Sequence, residues 1–257
     1  MRKMRKLFFL LVLLTSVNIL YAVNTEFPDE KFKQGTELYI SGKYQEALEI
    51  WLSIYNSGFR SANLNYNIGN AFFKLNDIPH AILFYERAFL LKPADEDISY
   101  NLQVARTFVV DKFVEVPELF FVTWFNFIAL IIPSNTWAII SIISFVLFLS
   151  LFSVFLFSSA HRVKAITFWC AIVMFLISGS SLAFSLRNKR LVTDSGKAII
   201  VSPQVNGKSS PDASGTDLFL IHEGTKVTVT DSVGNWYEIR LPDGNKGWVT
   251  SNSLEKI

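Results

Sequence analysis

From Leu119 to Ala160 the chain carries no Asp, Glu, Lys or Arg, and after His161, Arg162 and Lys164 a second uncharged run extends from Ala165 to Leu186. Trp137–Phe157 and Ala165–Leu186 are each about 20 residues, the length a helix needs to cross a hydrocarbon layer of ~30 Å. These two runs are expected to form a transmembrane hairpin over 137–157 and 165–186, with Trp137 and Trp169 at its interfaces. The rest of the chain must then fold as aqueous modules on either side of it.

The stretch LFFVTWFNFIALII (119–132) is too short for an easy crossing. An interfacial helix over 117–133, stopped at Pro133, is expected, with a third crossing as the rival. Charge leaves the choice open. Two crossings put Arg162 and Lys164 in the cytoplasm, as the positive-inside rule asks, but leave Arg187, Lys189 and Arg190 outside; three crossings reverse this. The short segment favours two.

MRKMRK followed by LFFLLVLLTSVNIL and Tyr21-Ala22 has the form of a signal peptide over 1–22, which would send the next module across the membrane. Four cations sit in those first six residues, so the net charge of +2 leaves no basic surplus elsewhere and no nucleic-acid surface is expected. Cys170 is the single cysteine, which excludes a disulfide within the chain.

A shift of 34 residues carries Gly35 onto Gly69, Leu38 onto Phe72, Ala47 onto Ala81 and Trp51 onto Tyr85. Small residues at 35, 47, 69 and 81 would let paired helices cross closely, with Trp51 and Tyr85 filling the space beside them. Pro79 sits where a helix starts rather than breaks, because Asn76-Asp77 supplies turn and capping chemistry and a first-turn proline loses no hydrogen bond. Gly, Ala, an aromatic, a small residue and Pro93 at this period resemble the tetratricopeptide repeat (TPR). The resemblance implies an all-α superhelix over 28–113, with repeats at 28–61 and 62–95 and a capping helix over 96–113. First helices line the concave groove of such a stack. That makes Phe32, Tyr66 and Tyr100, then Asn67 and Asn101, then Thr36, Asn70 and Val104, and finally Tyr39, Phe73 and Lys74 candidate contacts to an extended peptide.

After Arg190 the texture changes to short alternating runs. TKVTVTD and WYEIRLPDG alternate, and Asp243-Gly244 is a hairpin turn signal. Together with Gly247-Trp248-Val249 and Leu254 they resemble a bacterial SH3-like domain, implying a small all-β barrel over 196–257. Phe219, Trp236, Tyr237 and Trp248 are its candidate contacts, and 202–217 is expected to be a polar loop available for binding.

His80, His161 and His222 fall in three different modules, and no pair has metal-ligand spacing. There is no phosphate loop, no GxSxG and no Cys–His partnership. A non-enzymatic protein without catalytic residues, metal or cofactor is expected. Signal peptide, TPR, two membrane helices and a terminal SH3-like domain, in this order, resemble the BatE family of the Bat aerotolerance group. The resemblance implies a multi-pass inner-membrane scaffold with TPR and SH3-like domains in the periplasm. Its implied partners are other Bat-type membrane proteins, including von Willebrand A domain proteins, with peptidoglycan as a further partner for the barrel. Two other readings stay open: a cell-wall-sensing signal transducer, and a redox-linked exporter component using Cys170.

Overall fold

The computed structural model describes residues 28–113, 119–193 and 196–257, so the expected signal peptide lies outside the described residues. Five helices open the described chain: α1 (Asp29–Ile40), α2 (Tyr44–Asn56), α3 (Ala62–Lys74), α4 (Ile78–Leu91) and α5 (Glu96–Thr107). Local chemistry sets their ends. Ser61 accepts from the Leu64 amide, Asp77 from His80, and Asp95 from both Asp97 and Ile98. Asn76 adopts φ 63°, turning the chain before α4, and Pro79 lies in the first turn of that helix.

The two helix pairs share one packing slot. A Cβ on Gly35 would come within 2.5 Å of Trp51 Nε1, and one on Gly69 within 2.7 Å of Tyr85 Cδ1. Only glycine lets each aromatic lie flat against the facing helix. Ala47, Trp51, Ala81, Tyr85 and Ala88 are fully buried around these contacts. Helix α5 ends at Thr107, short of the expected 96–113, because the following residues leave the stack for the C-terminal domain. Phe113 packs against the core of that domain.

Three more helices follow: α6 (Phe120–Ile131), α7 (Ser134–Phe157) and α8 (His161–Thr193). Both α7 and α8 run past the expected 137–157 and 165–186. They are long and apolar enough to cross a membrane, with mean hydropathies of 2.8 and 1.9. Only 11% and 22% of their most apolar stretches are buried, which sets them apart from core helices of a soluble fold. The chain divides into two compact units. One contains Asn135–Ala183; the other joins Pro28–Ser134 to Phe184–Ile257. In the first, Ser141 and Ser178 each donate to the other's backbone carbonyl, at 2.9 and 3.0 Å. In the second, Ser134 and Ser185 repeat the exchange at 3.0 Å in both directions. These bonds give each hydroxyl a partner within the protein.

The C-terminal strands are β1 (Lys197–Ile200), β2 (Gln204–Lys208), β3 (Asp217–His222), β4 (Lys226–Val233), β5 (Trp236–Arg240), β6 (Lys246–Thr250) and β7 (Leu254–Lys256). They form one antiparallel sheet in the order β3-β2-β6-β5-β4-β1-β7. Its core holds Ala198, Ile200, Ile221, Val227, Ile239, Leu241, Val249 and Leu254. Alternation along β5 and β6 puts Tyr237, Ile239 and Val249 inward, and Trp236, Glu238 and Trp248 outward. The expected loop over 202–217 is corrected: Gln204–Lys208 is a strand, Asp217 opens β3, and the loop is confined to 202–203 and 209–216. Its polar composition hid it. Gly207 contributes no side chain, and the Phe219 ring of β3 fills that space, within 2.1 Å of a Cβ added there.

The helices and this sheet belong to the same unit and meet through charge. Glu86 on α4 is buried and accepts from Arg106 on α5 and, at 2.6 Å, from Lys226 on β4. Burial pushes the Glu86 carboxyl up, but the two cations outweigh it and hold it below its ordinary value. Asp111 accepts from the His222 amide at 2.7 Å, the His222 ring at 3.0 Å and the Thr225 hydroxyl at 2.8 Å. On α4, Arg87 donates to the Lys256 carbonyl, and His80 lies 3.5 Å from Glu255.

Candidate functional site: an aromatic and amide cleft

A cleft of about 310 Å³ opens on the helical stack. Helix α1 gives it Tyr39, α3 gives Tyr66, Asn70, Phe73 and Lys74, α4 gives Tyr85, and α5 gives Asn101 and Val104. Seven of the eleven residues expected to line a groove are therefore brought together. The 34-residue period places Tyr39 and Phe73, then Asn70 and Val104, on equivalent turns of successive first helices, so this face was legible in the sequence.

A hydrogen-bonded network organises it. Asn70 Oδ1 accepts from the Tyr85 hydroxyl at 2.7 Å and from Asn101 Nδ2 at 3.0 Å. Asn101 Nδ2 also donates to the Tyr66 hydroxyl at 2.8 Å. The Tyr66 and Tyr85 rings lie 6.0 Å apart. Burial is the main cause that raises the phenol pKa values of Tyr39, Tyr66 and Tyr85, so all three stay protonated hydroxyls at neutral pH. Side chains fixed in this way lose little freedom when a ligand binds. Amides beside aromatic rings offer both a donor and an acceptor next to apolar surface, the pattern an extended peptide matches. Lys74 supplies one cation at the rim, and no carboxylate lines the cleft.

The other four expected residues do not line it. Phe32 packs on Trp51, with ring centroids 6.3 Å apart, and its carbonyl accepts from Trp51 Nε1 at 3.3 Å. The Thr36 hydroxyl is spent on the Phe32 carbonyl one turn back, at 3.0 Å. Asn67 is half-buried on α3 outside the cleft, and Tyr100 is 67% exposed on α5. Tyr85 was expected only to fill space beside Gly69. Its hydroxyl reaches the centre of the network, and the amide of Asn70 fifteen residues earlier is the only local hint.

The β domain offers a second surface. Trp236 and Trp248 are half-buried on its outer face, where Trp248 lies between Glu238 of β5 and Lys208 of β2. Phe219 and Tyr237 point the other way, against the core. Phe219 also covers Gly207 and Gly247 of neighbouring strands, so it and Tyr237 serve packing rather than the outer face. Leu218 and Leu220, exposed on the edge strand β3, extend the apolar part of the outside. Among the described residues no cluster of His, Cys, Asp and Glu could hold a metal ion.

Residues 205–255 match the family model of the bacterial SH3 domain. This covers β2 to the start of β7 and leaves the helices outside the match. A domain of this kind suggests a protein-binding or cell-wall-binding role. No curated protein matches the chain.

Proposed function

We propose that this protein is a non-enzymatic membrane scaffold that captures an extended segment of a partner protein in the cleft of a TPR-type helical stack. The observation that carries this reading is the network of Tyr66, Asn70, Tyr85 and Asn101, which presents fixed amides and rings on an open face. The absence of a carboxylate in the lining suits a neutral or acidic segment. The SH3-like domain supplies a second contact, to protein or peptidoglycan, through the outer face bearing Trp236 and Trp248. In this reading α7 and α8 cross the membrane. Glu86–Lys226 and Asp111–His222 join residues on both sides of the crossings in sequence. Partners in such bonds share one aqueous compartment, which supports an even number of crossings and leaves α6 lying along the surface. The segment order supports a place in a BatE-type inner-membrane complex with von Willebrand A domain proteins, its aqueous part in the periplasm.

The test is photocrosslinking in cells from a reactive amino acid placed at Phe73. A discrete protein adduct that falls at least several-fold in Asn70→Ala, while the chain accumulates normally, is the expected result. An adduct indifferent to Asn70→Ala, or none at all, removes the cleft from the function.

A further inference from the structure

The two asparagines at the centre of the cleft are only half used by the network around them. Asn70 Oδ1 accepts twice, from Tyr85 and from Asn101. Asn101 Nδ2 gives up both of its hydrogens, one to Asn70 and one to Tyr66. Among the described residues, Asn70 Nδ2 and Asn101 Oδ1 make no hydrogen bond. The Asn70 amide does bear on the Tyr66 phenol, where it opposes the rise in pKa that burial causes. An amide nitrogen carries two hydrogens, however, so one is left over. Neither free atom is sealed in the protein: among the described residues the one buried side-chain polar atom without a partner is Asn65 Oδ1.

The cleft thus presents one donor from α3 beside one acceptor from α5. Phenols can donate or accept, so turning both amides over would exchange these roles and leave the same pair. The pattern belongs to the network and not to one orientation of it. A carboxylate offers acceptors alone and an ammonium donors alone, and each would leave one amide atom unanswered. A residue in an extended chain answers both. It turns its N–H and C=O to the same side, as in the hydrogen-bonded pair of an antiparallel ladder. Tyr39, Phe73 and Val104 add apolar surface around this pair. A volume of about 310 Å³ is small for a ligand site and suits a short stretch of chain.

We propose that the cleft reads the main chain of one extended residue from the interior of a partner's chain, taking its C=O on one asparagine and its N–H on the other. The residue's own side chain, an apolar one, lies against Tyr39, Phe73 and Val104. The proposal rests on the cleft reading above and names what is held there: an internal segment rather than a chain terminus. Proline is excluded at the central position, because it has no N–H to give.

The test uses the full chain in a mild detergent, with isotope-labelled asparagine, and follows the side-chain amide signals of Asn70 and Asn101 by NMR. Three probes are titrated: N-acetyl-leucine methylamide, the same compound methylated on the leucine nitrogen, and N-acetyl-leucine with its free carboxylate. The first is expected to shift both signals saturably. The other two should bind at least several-fold more weakly, one for want of the N–H and the other for its charge and missing amide. The shifts should be absent in Asn70→Ala. Lys74 at the rim would draw a carboxylate, so tighter binding of N-acetyl-leucine overturns the proposal, as do equal binding of all three probes and the absence of any saturable shift. The expected ordering without an adduct at Phe73 supports the main-chain readout and breaks the capture reading. An adduct without the ordering does the reverse.

Discussion

The helix pairs α1–α2 and α3–α4 place an aromatic ring over a glycine in the same way and use the polar tip of that ring differently. In the first pair, Trp51 Nε1 donates to the backbone carbonyl of Phe32, and the contact closes on itself. In the second, the Tyr85 hydroxyl donates to Asn70, which also receives Asn101, and a cleft forms around the three. The opposite flank of each second helix diverges as well. Glu86, Arg87 and His80 of α4, which reach the β domain, stand 34 positions after Leu52, Ser53 and Glu46 of α2. The first pair thus gives the cleft only Tyr39, whereas in the second Tyr85 reaches the cleft and the next two residues reach the SH3-like domain. Identical packing is compatible with different surroundings because the slot is defined by volume, while the polar atoms at its edge are free to take different partners.

The largest effect expected from breaking this asymmetry comes from Glu86→Gln. It leaves Arg106 and Lys226 without their buried counter-charge and should cost about 2–4 kcal/mol, less than a fully buried pair because both cations keep some solvent. Chemical denaturation measures it. The same carboxyl is held below its ordinary value of 4.5 in the fold. Its contribution is therefore present above pH 4.5 and is lost as the pH falls through the lowered value. Stability of the wild type should fall more steeply in acid than that of Glu86→Gln; equal acid slopes would count against the cluster.

Next in size are Gly35→Ala and Gly69→Ala, which probe what the pairs share. Each new methyl meets an aromatic ring at well under 3 Å. Overpacking of this kind costs about 1–3 kcal/mol, against a gain of up to about 1 kcal/mol from alanine's helix propensity. Both variants should lose stability, to similar extents. A neutral result at Gly35 alone would mean that the two slots are not equivalent.

These glycines were readable because the sequence states them twice, with Ala47 and Trp51 matched by Ala81 and Tyr85 at one period. Pro79 was readable because capping is a local matter. The cleft was legible down to Tyr39 and Phe73, one period apart, and Asn70, one period before Val104. Thr36 misled because a threonine hydroxyl inside a helix can bond its own backbone, and no pattern of spacing shows that. Glu86, Asp111 and His222 gave no signal at all, since their partners are far away in the chain. Strand β2 was missed because Gly207 and Lys208 look like a turn until Phe219 is placed over them.

The smallest expected effect concerns His80, whose counterpart in the first pair is Glu46. Its bond with Asp77, then that with Glu255, outweighs burial and raises its pKa from 6.5 to about 9. A histidine raised in this way adds stability that is complete below pH 6.5 and is lost as the pH rises through about 9. Melting temperatures of the wild type should decline modestly over that range, and those of His80→Gln should not. The same decline in both would assign it elsewhere.

The bonds between the helical stack and the SH3-like domain have a consequence for how the chain is made. They link residues 111, 140 and 169 positions apart, with both long apolar helices between them. The hairpin is thus an insertion within one folded body, and its two ends are tied by the Ser134–Ser185 exchange. Contacts of such long separation form late, because the intervening loop must close first. During synthesis Asp111 and Phe113 emerge long before strands β1–β7, and their partners in the sheet are made only after both apolar helices. Assembly of this body therefore waits for both apolar helices, and a chain cut short within them would leave the surface around Asp111 and Phe113 unfinished.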